Sequence, residues 1–172
     1  MMSDAVLVLN AGSSSVKFGL FDISGIDPRL LCKGLLDEHE AKPGITVTDA
    51  AGNCLFEKRR APADNDGEAL LVDILDWSSD YLADGRLAAI GHRVVHGGRN
   101  LHGPTEVTDE TIETMTAPTP LAPLHQPRCL SLPVAGRLRH ETAILLSYGH
   151  DLAALTPKLL KLIWINTKSR SA

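Results

Sequence analysis

The chain has 172 residues, 44% of them hydrophobic and 22% charged, which suits one globular domain with a real core. A formal net charge of −4 gives no basic footprint for nucleic acid, and no stretch has the pattern of a signal peptide or a membrane span. The three cysteines, Cys32, Cys54 and Cys129, are widely spaced, form no C-x-x-C pair and suit a reducing cytoplasm better than a disulfide framework.

Val6 to Leu9 is a short apolar run with β-branched residues and reads as a buried strand. Asn10 to Ser14 is turn chemistry, and Val16 to Phe21 resumes as a second strand. The result is a hairpin with donors at its tip: backbone N–H groups near Gly12, the hydroxyls of Ser13, Ser14 and Ser15, and the Lys17 ammonium. Successive N–H groups in a turn make an anion-binding concavity, so phosphate is the natural candidate. The stretch is neither a G-x-x-x-x-G-K-[ST] loop nor a G-x-G-x-x-G fingerprint. Taken alone, Gly-Ser-Ser-Ser reads more readily as an ordinary exposed turn.

Leu30 to Leu36, Gly44 to Thr48 and Asn53 to Lys58 read as three further strands in hairpin order, hence antiparallel. Asp66 to Ala83 follows as a helix, with Leu70, Leu71, Ile74, Leu75, Trp77, Tyr81 and Leu82 on one apolar stripe. Trp77 and Tyr81 are read as core rather than as a ligand platform. Asp84-Gly85-Arg86 ends the helix, and Leu87 to Ile90 is a short strand. Strands, then a crossover helix, then another strand predict a mixed α/β sheet.

Gly91 to Gly98 (GHRVVHGG) sits past that strand, where open α/β sheets carry ligand loops. Arg93 has the planar fork that suits a carboxylate or phosphate, or else a surface ion pair. His92 and His96 are read as structural hydrogen-bonding residues. Thr108 has the chemistry of a helix N-cap, with Asp109 and Glu110 in the first turn and an end expected before Pro118. Pro118, Pro120, Pro123 and Pro127 then stiffen a segment that displays Leu121, Leu124 and His125. Residues 1–130 carry a charge balance of −8 and residues 131–172 one of +4, a shift that marks a boundary. The last residues, 166–172, read as disordered.

Three stretches together, Asn10 to Lys17 (NAGSSSVK), Gly91 to Gly98 and Pro120 to Pro127 (PLAPLHQP), resemble the acetate kinase family in order and approximate spacing. The resemblance covers roughly residues 5–130. It implies an N-terminal domain with the ribonuclease-H-like mixed sheet of the acetate-and-sugar-kinase, chaperone and actin superfamily. It also implies a cytoplasmic phosphotransferase that converts ATP and acetate, or another short carboxylate, to ADP and an acyl phosphate, with Mg²⁺ as cofactor and a homodimer as the family's assembly. By position, Asn10 resembles the magnesium-site residue, and Ser13, Ser15 and Lys17 the phosphate-side loop. Arg93 resembles the residue holding the carboxylate, Val95 and Leu124 the walls of the methyl pocket, and His125 the stabiliser of the transferring phosphoryl group. Val95 makes a smaller cavity than Ala would and so favours acetate over propionate, a preference bounded by the worth of one methylene in such a pocket, about 1–3 kcal/mol.

After Leu130 the likeness fades. The family's Phe-Asp-Thr-Ala-Phe-His stretch has no counterpart near residue 150, where Ser147 to Ala154 (SYGHDLAA) stands instead. The expectation is a domain over 1–130, a divergent tail over 131–172 from a truncated or frameshifted gene, and little or no turnover by this chain alone. An inactive fragment with residual phosphate binding and a propionate-preferring acyl kinase are the competing readings.

Overall fold

A computed structural model of the chain describes residues 4–12, 15–37, 44–59, 67–94, 105–116 and 143–148. Strands β1 (Asp4–Ala11), β2 (Ser15–Asp22), β3 (Arg29–Asp37), β4 (Gly44–Asp49) and β5 (Cys54–Arg59) form an antiparallel meander. Helix α1 (Gly67–Leu82) then crosses over, and β6 (Arg86–Val94) returns parallel to β1. The short β7 (Thr105–Glu106) and helix α2 (Asp109–Thr116) precede β8 (Ala143–Tyr148), which runs parallel to β6 and antiparallel to β7. Among the described residues this makes one mixed sheet of order β5-β4-β3-β2-β1-β6-β8-β7. The mixed α/β class expected from the sequence is the class observed. No helix among the described residues is long and apolar enough to cross a membrane.

Local chemistry explains the elements. The β4–β5 turn is held by Asp49, whose carboxylate accepts from both the backbone N–H and the side-chain amide of Asn53, each at 2.8 Å. Gly52 supplies the positive φ of 95° that this turn requires. Helix α2 is capped reciprocally: Thr108 Oγ1 accepts from the Thr111 N–H at 3.2 Å, and Thr111 Oγ1 accepts from the Thr108 N–H at 2.6 Å. That is a capping box with threonine in the place of the usual acid or amide.

The two faces of the sheet differ. Leu7, Leu9, Phe18, Leu20 and Ile90 join Ile74 and Leu75 of α1 and Met115 of α2 in the main core. Val6, Ile23 and Ala89 form a smaller cluster with Val8, Phe21 and Ala88. Strand alternation puts Val6 and Val8 on the opposite face from Leu7 and Leu9, so α1 and α2 cover one face only. Cys32 lies in the main core, where burial pushes its thiol up to about 11, while Cys54 is exposed; neither is bridged.

Three sequence expectations need correction. The strand expected to stop at Ile90 runs on to Val94, because Gly91, His92 and Arg93 pair with Val8, Leu9 and Asn10 on one side and with β8 on the other. Tyr81 is 41% exposed and stacks on Trp77 at 5.1 Å; Trp77 alone of the two packs on the core. Ala83, at φ 50°, takes the left-handed position after the helix, ahead of the expected Asp84-Gly85. The side chains of Leu70 and Leu71 lie outside the described ones. Within the segment set apart at 131–172, residues 143–148 supply β8, which sequence reading missed; the remainder lies outside the described residues.

Gly34 faces Phe18 across β2 and β3, and a Cβ there would clash with the edge of the Phe18 ring. Gly34→Ala is therefore expected to lower stability by about 1–3 kcal/mol, measured by urea unfolding, with Gly25→Ala as the control at an open turn position.

Asp22 accepts from the Ser24 N–H at 2.9 Å and pairs with Arg29 at 3.0 Å. These bonds, the backbone one foremost, hold its carboxyl below the ordinary 3.8. The folded value lies below the unfolded one, so the stabilisation is full above the unfolded value and lost as pH falls through the folded one. Asp22→Asn should thus lower Tm at about pH 7, and the gap from wild type should close on titration to about pH 2.

Candidate functional site

The β1–β2 hairpin and β6 place three polar residues at one level of the sheet. Asn10 of β1 is in register with Lys17 of β2 and with Arg93 of β6. Residues in register share a face, so the order across the sheet is Lys17, Asn10, Arg93. Asn10 and Arg93 are half-buried and Lys17 is exposed. Their neighbours Leu9, Ala11, Val16, Phe18 and His92 are buried on the other face. The row therefore lies on the side away from α1 and α2. Ser15, two residues before Lys17, shares that side by alternation.

Asn10 Oδ1 accepts a hydrogen bond from Arg93 Nη1 at 3.3 Å. The partners are 83 positions apart in the chain, and only the parallel β1–β6 pairing brings them together. At the other end of the same pair, Arg86 Nε and Nη2 reach the two carboxylate oxygens of Asp4, each at 3.1 Å. That paired geometry holds the Arg86 guanidinium in its charged form.

Chemically the row is two cations with a neutral amide between them. It suits an anion: a carboxylate or a phosphoryl oxygen gains charge-assisted bonds from both sides. It does not suit a divalent cation. Mg²⁺ takes oxygen ligands with carboxylates or phosphates among them. Here the one side-chain oxygen of the row is neutral, already accepts from a guanidinium, and sits between two positive charges. Among the described residues no group of three or more His, Cys, Asp or Glu converges as a metal site.

Of the residues singled out from the sequence, Asn10, Ser15, Lys17 and Arg93 fall within the described residues and share one face. Ser13, Val95, Leu124 and His125 lie outside the described residues, as do Ser14, His96, Gly97 and Gly98. One expected donor is spent internally: the Gly12 N–H donates to the Ser15 carbonyl at 2.7 Å and closes the hairpin. Among the described residues this leaves side chains, and not the Gly12 amide, as candidate donors on this side. His92 is fully buried on the opposite face from Arg93. Sequence reading named Arg93 but put it on a loop, and it had no signal for the Asn10–Arg93 contact.

The pattern of the Acetokinase family matches residues 5–133. The chain is 38% identical over 133 residues to an acetate kinase of Rhodopseudomonas palustris, covering 76% of this chain and 33% of that one. It is 36% identical over 128 residues to a propionate kinase of Citrobacter rodentium, covering 73% and 31%. Its fold superposes on the crystal structure of Porphyromonas gingivalis acetate kinase with a TM-score of 0.68 and 28% identity, over 85% of this chain and 37% of that one. The chain spans about a third of the length of the curated relatives it matches.

If the cationic row binds an anion, inorganic phosphate should raise the Tm of the chain, since a ligand of the folded state alone stabilises it by mass action. Lys17→Met and Arg93→Met should each diminish that rise in a thermal-shift titration. An undiminished rise in both variants would place the anion elsewhere.

Proposed function

The chain belongs to the Acetokinase family, and from that premise we propose that it serves an acetate kinase-type phosphoryl transfer, with Arg93 on the carboxylate and Lys17 on the phosphate side. The reading rests on one observation above the rest. In a member of that family, two cations flank Asn10 at one level of the sheet, on the face away from α1 and α2.

The proposed substrates are ATP and acetate. A carboxylate is ionised at neutral pH, so its activation is a small part of the barrier. One carboxylate oxygen forms a bond to the γ-phosphorus, the bond from that phosphorus to the β–γ bridging oxygen breaks, and ADP leaves with the electron pair. The work left to the protein is to align the reactants and to balance charge on the equatorial oxygens. Arg93, held on a strand between two neighbours, orients the carboxylate by its fork. Lys17 meets the phosphoryl oxygens from the hairpin, with Ser13 and Ser15 beside it. Val95 and Leu124 enclose the methyl group and His125 faces the transferring phosphoryl. The last three roles, and that of Ser13, rest on likeness to the family alone. We take the family's divalent ion to be Mg²⁺ and assign it to the triphosphate rather than to the Lys17–Asn10–Arg93 row.

Acetyl phosphate trapped as the hydroxamate after incubation with ATP, Mg²⁺ and acetate reads the reaction directly. The chain, which spans a third of its relatives, is expected to give little or none. Acetate should nonetheless shift the side-chain amide resonances of Asn10, which touches Arg93, in the labelled chain, and Arg93→Ala should abolish that shift. Acetate that binds equally well to the Arg93→Ala variant would refute the assignment.

A further inference from the structure

The poor fit of the row to a divalent cation leaves Asn10 in need of a different role. We propose that Asn10 is a positioning residue: its amide oxygen fixes the Arg93 guanidinium toward the anion, and its neutrality keeps the two flanking cations available to that anion. The proposal rests on the reading of Arg93 and Lys17 as anion-binding residues.

Two observations carry it. The side chains meet, with Nη1 to Oδ1 at 3.3 Å, and the contact is half-buried. The backbones also meet, since Asn10 and Arg93 are partners in the parallel ladder, so the register keeps the two side chains within reach of each other. A long, flexible guanidinium loses conformational entropy when it binds an anion. A bond that pins one of its nitrogens beforehand removes part of that cost.

The choice of an amide also has a physical reason. A carboxylate at position 10 would be isosteric and would bond Arg93 more strongly. It would also sit in register with Lys17 and cancel much of the positive field that an incoming carboxylate or phosphate needs. An amide orients without neutralising. A metal-ligand role predicts the opposite ranking, because a carboxylate is the better ligand for a hard divalent cation.

Asn10→Asp and Asn10→Ala separate the two. In the wild-type chain the Arg93 side-chain ¹⁵N resonances should report restricted rotation of the guanidinium. In Asn10→Ala they should average, and phosphate should bind about tenfold more weakly, the scale of one lost bond to a charged group. Asn10→Asp should keep the restriction yet also weaken phosphate about tenfold, and leave Mg²⁺ affinity measured without phosphate unchanged. Two results would overturn the proposal: a gain in Mg²⁺ affinity in Asn10→Asp, or an Arg93 spectrum equally mobile in wild type and Asn10→Ala. Failure of the underlying reading looks different. Phosphate would then bind neither more weakly in Arg93→Met nor in Lys17→Met, whatever the Arg93 spectrum shows.

Discussion

The parallel pairing of β1 with β6 is the constraint on which the rest of this molecule depends. It is fixed at one end by the Asp4–Arg86 ion pair and carries the Asn10–Arg93 contact at the other. Between them Val6 meets Ala89 on one face, while Leu7 meets Ile90 and Leu9 meets His92 on the other. Because side chains alternate, a slip of one residue would turn Arg93 into the main core and His92 out of it. A guanidinium without partners in that apolar layer would cost several kcal/mol. The burial pattern and the end contacts thus favour the same register, and that register aligns the two cations.

Placing the cations on strands has a further effect. A binding group on a regular element is held by ladder hydrogen bonds on both sides, whereas one on a loop must be ordered by the ligand. β6 lies between β1 and β8, so the backbone of Arg93 is paired with Asn10 and with Ser147. The helices pack on the far face, so neither helix covers the charged row.

Much of this was legible in the sequence, for identifiable reasons. The meander was readable because its strands are short, β-branched and punctuated by turn residues such as Gly25, Asp27-Pro28 and Ala51-Gly52. Helix α1 was readable from the spacing of Ile74, Leu75 and Leu82. The extent of β6 was not. Gly91 and His92 look like loop chemistry, and pairing with neighbours on both sides holds them extended. β8 escaped for a related reason. Ala143 to Leu146 is a plain apolar run, but it lies where the charge balance and the family likeness both change. Arg93 and Lys17 stood out as residues; their alignment about Asn10 is a matter of register between distant segments, which local patterns do not carry.

The order in which these pairings arise on a growing chain follows from their separation. Ala11 and Val16 meet across a turn, and the hairpins from β1 to β5 need only short closures. β6 must travel back across some 82 positions to find β1, a far slower search. During synthesis the meander therefore stands for a time with the outer side of β1 unclaimed, an apolar, hydrogen-bonding margin open to any strand that passes. Arrival of β6 seals that margin and brings Arg93 to Asn10 in the same event, so the cationic row is complete only once the open edge has closed.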